Sequence, residues 1–191
     1  MNGSLNKNTG FTLLELMITL AIIAILSTLA VPSFTSIIQN NRMVTQLNEL
    51  NSALSIARSE AIKRGTTVTV CNSADQIECS GSWDKSNNGW IVFVDMNNDD
   101  VTTDAGEEIL KVHYALSGGN KLNFNNTAKI SYSASGLGNK AGTFTLCDNR
   151  TPAINYAKAL IVNSTGRLRT GIDSNNDGII EGGSGNNVSC T

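Results

Sequence analysis

The stretch Lys7-Asn8-Thr9-Gly10-Phe11-Thr12-Leu13-Leu14-Glu15 opens an apolar run that continues without a further charge to Val31. The residues from Phe11 to Val31 carry one charge, that of Glu15. As a helix with a rise of about 1.5 Å per residue, they would span about 30 Å, close to the thickness of a membrane's hydrocarbon core. A carboxylate in that layer costs at least about 2.5–3.5 kcal/mol, so it requires a partner or a function. The position of Glu15 therefore decides how the segment is interpreted.

Three simpler interpretations of the segment fit less well. A secretory signal peptide has a positively charged start, an apolar core of about 7–15 residues and a cleavage site with small residues. Here the run is longer, Lys7 is the only charge before it, and Pro32-Ser33-Phe34 is unlike such a cleavage site. A plain membrane anchor explains the length but not Glu15. A buried core helix is rarely so long and so uniformly apolar.

The run Gly10-Phe11-Thr12-Leu13-Leu14-Glu15-Leu16 resembles the processing site of type IV pilins and type II secretion pseudopilins. In that class a membrane peptidase cuts after the glycine and methylates the new amino terminus. The resemblance implies cleavage between Gly10 and Phe11. It further implies a leader over residues 1–10, which is removed, and a transmembrane and polymerisation helix over residues 11–31.

The same resemblance implies a role for Glu15. In the family, this carboxylate pairs with the amino terminus of a neighbouring subunit, which offsets two charges in apolar surroundings. The implied partners are other pilins and minor pilins, the prepilin peptidase and, before assembly, the inner membrane. The implied location is the inner membrane, crossed once with the carboxyl-terminal domain in the periplasm, and then the pilus at the cell surface.

A helical pattern continues beyond Pro32. The apolar residues that recur at steps of three and four are Leu47, Leu50, Leu54, Ala57 and Ala61. This pattern predicts an amphipathic helix to about Arg64, where Gly65 ends it. Pro32 is expected to kink or locally unwind the helix. Residues 32–191, including the amphipathic helix, are expected to form one globular domain.

After Gly65 the pattern changes to short strands separated by Gly- and Asn-rich breaks. The predicted strands are Thr66–Cys71, Trp90–Val94, Glu108–Ala115, Lys121–Phe124, Lys129–Tyr132, Gly142–Cys147, Lys158–Asn163 and Gly166–Thr170. One long helix followed by many short strands predicts an α+β fold of the type IV pilin kind, in which an antiparallel sheet packs on the apolar face of the helix.

The four cysteines, Cys71, Cys79, Cys147 and Cys190, all follow the apolar segment. Cys-x-x-Cys spacing, which is typical of zinc sites, is absent, and His113 is the only histidine. An even number of cysteines on the outer side of a membrane favours disulfides. We expect Cys71–Cys79 and Cys147–Cys190, although four cysteines allow three pairings.

Charge is unevenly distributed along the chain. The net charge is −2, but the segment from Cys71 to Glu108 holds nine acidic residues and Lys85, whereas Lys111 to Thr191 holds eight basic and four acidic residues. The second half of the chain is therefore basic, which favours an anionic partner there.

The central segment Trp90–Asp99, followed by Gly106-Glu107-Glu108-Ile109-Leu110, resembles the FimT/FimU minor pilins and the related GspH pseudopilins. Such proteins occur at low copy number near the tip of a pilus or pseudopilus. That position suits priming of assembly or contact with outside ligands.

Gly166-Arg167-Leu168-Arg169 resembles the Gly-Arg-x-Arg element with which the FimT branch binds DNA during natural transformation. Alternation along a strand places Arg167 and Arg169 on one face about 7 Å apart, close to the spacing of successive phosphates. Each guanidinium would take one phosphate in a forked hydrogen-bonded pair. The simpler alternative is that both residues solvate an exposed edge strand. The residues that would broaden the basic surface are Lys121, Lys129, Lys140, Arg150 and Lys158.

Asp173, Asn175 and Asp177, followed by Gly178, match the first half of a calcium-binding loop, but position twelve is Ser184 instead of glutamate. Ordinary turns are the favoured interpretation of this loop.

Because no nucleophile has a recognisable base motif, the sequence supports neither an enzyme nor a cofactor. Two functions besides DNA uptake stay open: a GspH-like pseudopilin that contacts exported protein in a type II secretion system, and a calcium-dependent pilus adhesin.

Overall fold

The computed structural model describes residues 10–83, 88–126 and 129–190. The leader predicted over residues 1–10 lies, apart from Gly10, outside the described residues. The chain divides into two compact units, Met1–Gln39 and Asn40–Thr191. The elements are helix α1 (Leu13–Arg64), strands β1 (Val68–Ser73), β2 (Gly89–Val94), β3 (Ile109–His113), β4 (Lys121–Phe124), β5 (Lys129–Tyr132) and β6 (Gly142–Cys147), a 3-10 turn (Ala153–Tyr156), and strands β7 (Lys158–Val162) and β8 (Leu168–Thr170).

Helix α1 begins just after Thr12, and Glu15 lies in its first turn. Thr12 immediately precedes the helix, and its Oγ1 accepts a hydrogen bond from the backbone N–H of Glu15 at 3.2 Å. Thr-x-x-Glu is the spacing of a capping box, and an acidic residue in the first turn is favoured by the helix dipole. Thr12 is therefore the N-cap of α1, and Glu15 lies in the first turn, where the helix dipole favours a negative charge.

The apolar part of α1 satisfies its own polar side chains. The hydroxyl groups of Thr19, Ser27 and Thr28 donate to helix carbonyls three or four residues back, at 2.7–2.8 Å. The helix also continues through Pro32, so the local unwinding expected there does not occur. By length and composition, α1 is the one helix among the described residues that is able to cross a membrane. Its large apolar side chains in this part are exposed, and its first residue, Leu13, is 77% exposed.

In the second unit, the apolar face of α1 forms the centre of the core. The buried helix residues include Leu47, Leu50, Leu54, Ala57 and Ala61, the five positions that the sequence pattern predicts. They belong to one cluster with core-facing residues of both sheets, among them Val70, Val92, Ile130, Tyr132, Phe144, Leu146, Leu160 and Val162. The alternation of strand residues thus supplies two apolar surfaces for one helix.

The helix ends where the sequence indicates. Gly65 has a φ of +67°, and both its N–H and that of Thr66 donate to the carbonyl of Ala61, at 3.0 and 3.3 Å. This is the glycine cap that satisfies the last carbonyls of a helix. Thr66 and Thr67 belong to the connection that follows the cap, so β1 begins at Val68, two residues later than predicted.

The strands form two antiparallel sheets, where a single sheet was expected. Sheet A has the order β3-β2-β1-β5, and sheet B has the order β4-β6-β7-β8. Because β5 joins β1 while β4 joins β6, consecutive strands fall into different sheets, a pairing that local sequence patterns do not specify. The bounds of β4, β5 and β6 agree with prediction, whereas β3, β7 and β8 are shorter than predicted.

Each disulfide attaches a segment outside the strands to one of the two sheets. Cys71, on the outer face of sheet A, is joined to Cys79, and Cys147 of β6 is joined to Cys190. The carboxyl-terminal segment crosses the outer face of sheet B, where the N–H of Gly183 donates to the Oγ1 of Thr143 at 2.8 Å. The tail is therefore a structural layer on sheet B, in agreement with the expected tether.

Candidate functional site

The Gly-Arg-x-Arg element begins at a tight turn between β7 and β8. Its three loop residues, 164–166, are closed by hydrogen bonds from Asn163 N to Arg167 O (3.1 Å) and from Gly166 N to Asn163 O (2.9 Å). Gly166 has a φ of +74°, the left-handed conformation that ends a three-residue hairpin loop. The side-chain oxygen of Asn163 accepts from the N–H groups of Thr165 and Arg167, at 3.1 and 2.9 Å. The turn thus fixes the backbone of Arg167.

Both arginines of the element are exposed, as predicted. Leu168, between them, packs against the core, and the register Ile161↔Arg169 places Arg169 on the outer face of sheet B. Arg167 and Arg169 border one concavity of about 400 Å³, together with Ile161 and Asn163. No ion pair within the described part of the chain includes either arginine. The two guanidinium groups are therefore available to an anionic ligand.

A second turn of the same kind packs against the first. Residues 134–136 form a loop closed by Ser133 N to Leu137 O (3.0 Å) and Gly136 N to Ser133 O (2.8 Å), and Gly136 has a φ of +74°. A Cβ atom added to Gly166 would lie 2.8 Å from the Gly136 carbonyl oxygen and 2.8 Å from Cε1 of Tyr132. The approach of the two turns therefore requires glycine at position 166.

The structure adds a residue that sequence reasoning missed. Arg58 of α1 donates from Nη1 to the carbonyl oxygen of Gly166 at 3.3 Å. It lines a groove of about 430 Å³ together with Arg167. No local pattern identifies Arg58, because it is 108 residues from Gly166 in the sequence and lies on a helix whose other face forms the core. Only the packing of α1 beside the β7–β8 turn brings the two together.

Tyr132 is a buried polar residue beside this site. Its hydroxyl group has no hydrogen-bond partner among the described residues. Burial raises the pKa of Tyr132 to about 12, and the nearby charge of Arg58 partly opposes that rise. The phenol is therefore neutral in the physiological pH range, and Arg58 is the nearby positive charge.

Two of the five predicted supporting residues are exposed near the site or on its face. Lys121 lies on the outer face of sheet B, but at the edge opposite to Arg169. Lys140 is exposed in the loop after Gly138, which packs against Gly166. Of the two, Lys140 is the better placed to extend the site.

The other three supporting residues are either ion-paired or on another face, which corrects the expectation that they broaden the basic surface. Lys129 forms an ion pair with an aspartate of the β2–β3 connection. Arg150 forms an ion pair with the buried carboxylate of Asp148 and stacks on Tyr156, 3.7 Å from the ring centroid. Lys158 is half-buried and shares its strand face with core residues instead of with the two arginines.

The loop that resembles the first half of a calcium-binding loop is held as a turn by hydrogen bonds of its own residues. The Asp173 carboxylate accepts from the N–H groups of Asp177 and Gly178, at 3.2 and 2.8 Å. Hydrogen bonds from the Asn187 side chain and from the Ile179 N–H hold the pKa of Asp177 below its ordinary value. These contacts agree with the favoured interpretation as a turn, and calcium binding by Asp173, Asn175 and Asp177 stays the less favoured alternative.

A second group of acidic side chains lies in the β2–β3 connection. Carboxylate oxygens of Asp99, Asp104 and Glu107 lie within 4.8 Å of one another. The first two residues are exposed. Such groups are common on protein surfaces, and local hydrogen bonds account for this one: the Asn97 amide donates to Asp99 and Asp104, and the N–H of Met96 donates to Glu107.

The histidine and the two tryptophans of the chain are structural. His113 is half-buried, stacks on Trp90 with a centroid distance of 3.7 Å, and contacts the Glu49 carboxylate through Nε2 at 2.8 Å. Trp83 and Trp90 are both buried in the core. None of the three lies at the arginine site.

The sequence matches two known protein families. Residues 46–166 match the family described as type II transport protein GspH, and residues 5–31 match the prokaryotic N-terminal methylation motif. The chain belongs to the GspH family. The methylation motif includes Gly10, Phe11 and Glu15, whereas Arg167 and Arg169 lie just beyond the GspH match. No curated protein matches the sequence at a significant level.

The fold of this GspH-family chain is similar to that of a solved minor pilin. The type IV minor pilin FimU of Pseudomonas aeruginosa PAO1, in space group P21, superposes with a TM-score of 0.52 at 19% sequence identity, over 69% of this chain and 89% of FimU. A second crystal form of FimU, in space group P65, gives 0.47 at 20% identity, over 64% and 87% of the two chains. The fold of the GspH-family chain is therefore that of a pilin, with one long amino-terminal helix packed on antiparallel sheets.

Proposed function

We propose that this GspH-family protein is a minor pilin that binds DNA through Arg167 and Arg169, without sequence specificity, for uptake in natural transformation. The observation that carries the proposal is the pair of exposed guanidinium groups on one side of β8, held by a rigid turn and unpaired within the described residues. Each would hold one phosphate, and the protein would act as a structural subunit without catalysing a reaction. Binding of this kind depends strongly on salt.

Binding of a fluorescein-labelled 30-base-pair duplex to the full-length protein in detergent tests the proposal. Replacing Arg167 and Arg169 by alanine should abolish detectable binding at low salt, or reduce the salt slope by about 1.8 if weak binding persists. The control is Arg42→Ala with Lys63→Ala, which removes the same net charge elsewhere. Equal affinity of wild type and the Arg167/Arg169 variant would refute the proposal.

For assembly, we infer cleavage between Gly10 and Phe11, insertion of the apolar helix in the inner membrane with the second unit in the periplasm, and incorporation into a pilus through Glu15. The support is the methylation motif over residues 5–31 and the exposed apolar side chains of α1. Mass spectrometry of the purified protein should find methylated Phe11 at the amino terminus. Glu15→Ala should enter filaments less than wild type; equal incorporation would remove the inferred pairing.

The GspH match favours one other function, that of a pseudopilin which contacts exported protein in a type II secretion system. A deletion strain separates the two functions. Loss of transformation with normal secretion supports DNA uptake, and the reverse result supports the secretion pseudopilin.

A further inference from the structure

A polar groove separates helix α1 from the β7–β8 turn. From the helix it is lined by Asn51, Ser55, Arg58 and Ser59, and from the turn and β8 by Gly166, Arg167 and Leu168. None of these residues is acidic, and two are arginines. Ser55, Arg58 and Ser59 are three and four residues apart, so they occupy one face of the helix. The groove is thus built from side chains that donate hydrogen bonds beside two positive charges.

The contacts of Arg58 leave most of its hydrogen-bonding capacity unused. Its one hydrogen bond among the described residues is to a neutral carbonyl, that of Gly166, at 3.3 Å, and no ion pair in the same part of the chain includes it. A guanidinium has five N–H donors. Its guanidinium end lies beside the second turn, because a Cβ added to Gly136 would lie 3.3 Å from Nε of Arg58. Arg58 is therefore positioned but not neutralised.

Two like charges that line one groove without a carboxylate favour an anion between them. We propose that Arg58 binds a DNA phosphate next to the one held by Arg167, so that the nucleic-acid backbone passes through the groove between α1 and the β7–β8 turn. This inference rests on the proposed function and extends its site from two arginines to three.

The three arginines form a continuous series. Arg58 and Arg167 border one groove, and Arg167 and Arg169 border the next concavity. The hydroxyl group of Ser55 makes no hydrogen bond within the described residues, whereas that of Ser59 donates to the Ser55 carbonyl at 2.9 Å. Ser55 is thus a second donor for the same phosphate. Contacts of this type go to the backbone and carry no base preference.

Salt-dependent binding of the 30-base-pair duplex to the full-length protein in detergent tests the role of Arg58. Arg58→Gln should weaken binding roughly fivefold to tenfold at low salt and reduce the slope of log K against log salt by about 0.9. The matched control is Arg42→Gln, because Arg42 is also half-buried on α1 and its guanidinium lies against a glycine, Gly118. The control should keep the wild-type slope.

A purely structural role for Arg58 predicts a different result. If Arg58 only supports the Gly166 turn, Arg58→Gln lowers the affinity because Arg167 is misplaced. The slope of log K against log salt then stays at its wild-type value. That outcome would overturn the inference. Arg58→Lys, which keeps the charge, should restore the slope.

Ser55→Asp provides a test that keeps the Arg58 side chain and introduces a carboxylate that would compete with DNA for it. Position 55 is exposed, so the substitution should leave the melting temperature within about 2 °C of wild type. A carboxylate in the groove should weaken DNA binding at least roughly fivefold, whereas Asn48→Asp, at another exposed position of α1, should change it less than about twofold. Equal effects of the two substitutions would count against a phosphate in the groove.

Failure of this inference and failure of the proposed function give different patterns. If the Arg167/Arg169 variant loses binding while Arg58→Gln and Ser55→Asp behave as wild type, the groove is not part of the site and the proposed function stands. If all variants bind as wild type does, the proposed function itself fails.

Discussion

The side-chain oxygen of Asn163 accepts the backbone N–H of Arg167 at 2.9 Å, and it also accepts the hydroxyl group of Thr165 at 2.7 Å. One amide side chain therefore fixes the turn from which the first arginine of the site projects. The exposed guanidinium groups depend for their position on a residue that need not touch the ligand.

Asn163→Ala should remove this support. We expect the free energy of unfolding to fall by about 1 kcal/mol and DNA affinity to fall roughly threefold, because the turn loses its acceptor. Asn163→Asp keeps the acceptor oxygens and adds a negative charge beside the arginines. It should therefore restore the melting temperature but not the DNA affinity. If Asn163→Asp restored both, the negative charge beside the arginines would have no effect on DNA binding, contrary to this prediction.

Gly166→Ala should be strongly destabilising, since the residue would be strained at a φ of +74° and its Cβ would lie 2.8 Å from a backbone oxygen. We expect a loss of about 3 kcal/mol or more in chemical unfolding. Gly178→Ala is the control, because Gly178 has a φ of +86° with no atom within 4 Å of an added Cβ. It should cost only about 1 kcal/mol. Equal costs would mean that the two turns do not pack as described.

The two disulfides should differ in their contribution to stability. The cysteines of Cys147–Cys190 are separated by 43 residues and those of Cys71–Cys79 by 8. Chain-entropy arguments give about 4 and about 2.5 kcal/mol for loops of these lengths. Replacing each pair by serine and comparing unfolding midpoints should show the larger loss for Cys147–Cys190. A larger loss for the short loop would indicate that the carboxyl-terminal tail is held mainly by its other contacts.

Tyr132→Phe should not reduce stability at neutral pH, because the hydroxyl group is buried without a partner among the described residues. The folded pKa of Tyr132, about 12, is above the ordinary value of 10.0. The protonated phenol therefore contributes stability that is fully present below pH 10 and is lost as the pH rises toward 12. Relative to wild type, Tyr132→Phe should gain about 1 kcal/mol at pH 11. A variant that is clearly less stable at pH 7 would imply a hydrogen bond to the hydroxyl group.

Asp177→Asn should lower the melting temperature at pH 7 and have less effect in acid. The folded pKa of Asp177 is lowered from 3.8, so its contribution is present above that value and is lost as the pH falls through the lower folded value. Melting curves from pH 7 to pH 2.5 should show the difference between variant and wild type shrinking below about pH 4. Ser174→Ala, at an exposed position of the same loop whose side chain is not hydrogen-bonded to Asp177, should show no such pH dependence.

Features that depend on neighbouring residues in the sequence were predictable. The buried positions Leu47, Leu50 and Leu54 follow from helical spacing, and the end of α1 at Arg64 follows from Gly65. The exposure of Arg167 and Arg169 around the inward-facing Leu168 follows from strand alternation. In each case the physical cause acts within a few residues.

Features that depend on distant contacts were not predictable. The division into two sheets requires the pairing of β1 with β5, and nothing in either strand specifies its partner. Likewise, Arg150 appears as a free cation in the sequence but is ion-paired and stacked in the fold. Arg58 enters the site only because the helix packs beside the β7–β8 turn.

The hydroxyl groups of Thr19, Ser27 and Thr28 are all satisfied by carbonyl oxygens of their own helix. Transfer of such a segment from one apolar environment to another breaks none of these hydrogen bonds and leaves no polar group unpaired. The free energy of moving this segment from lipid to the surface of another protein then depends on van der Waals contacts and on the Glu15 carboxylate. That single ionisable group is where a preference for one environment over the other would be decided.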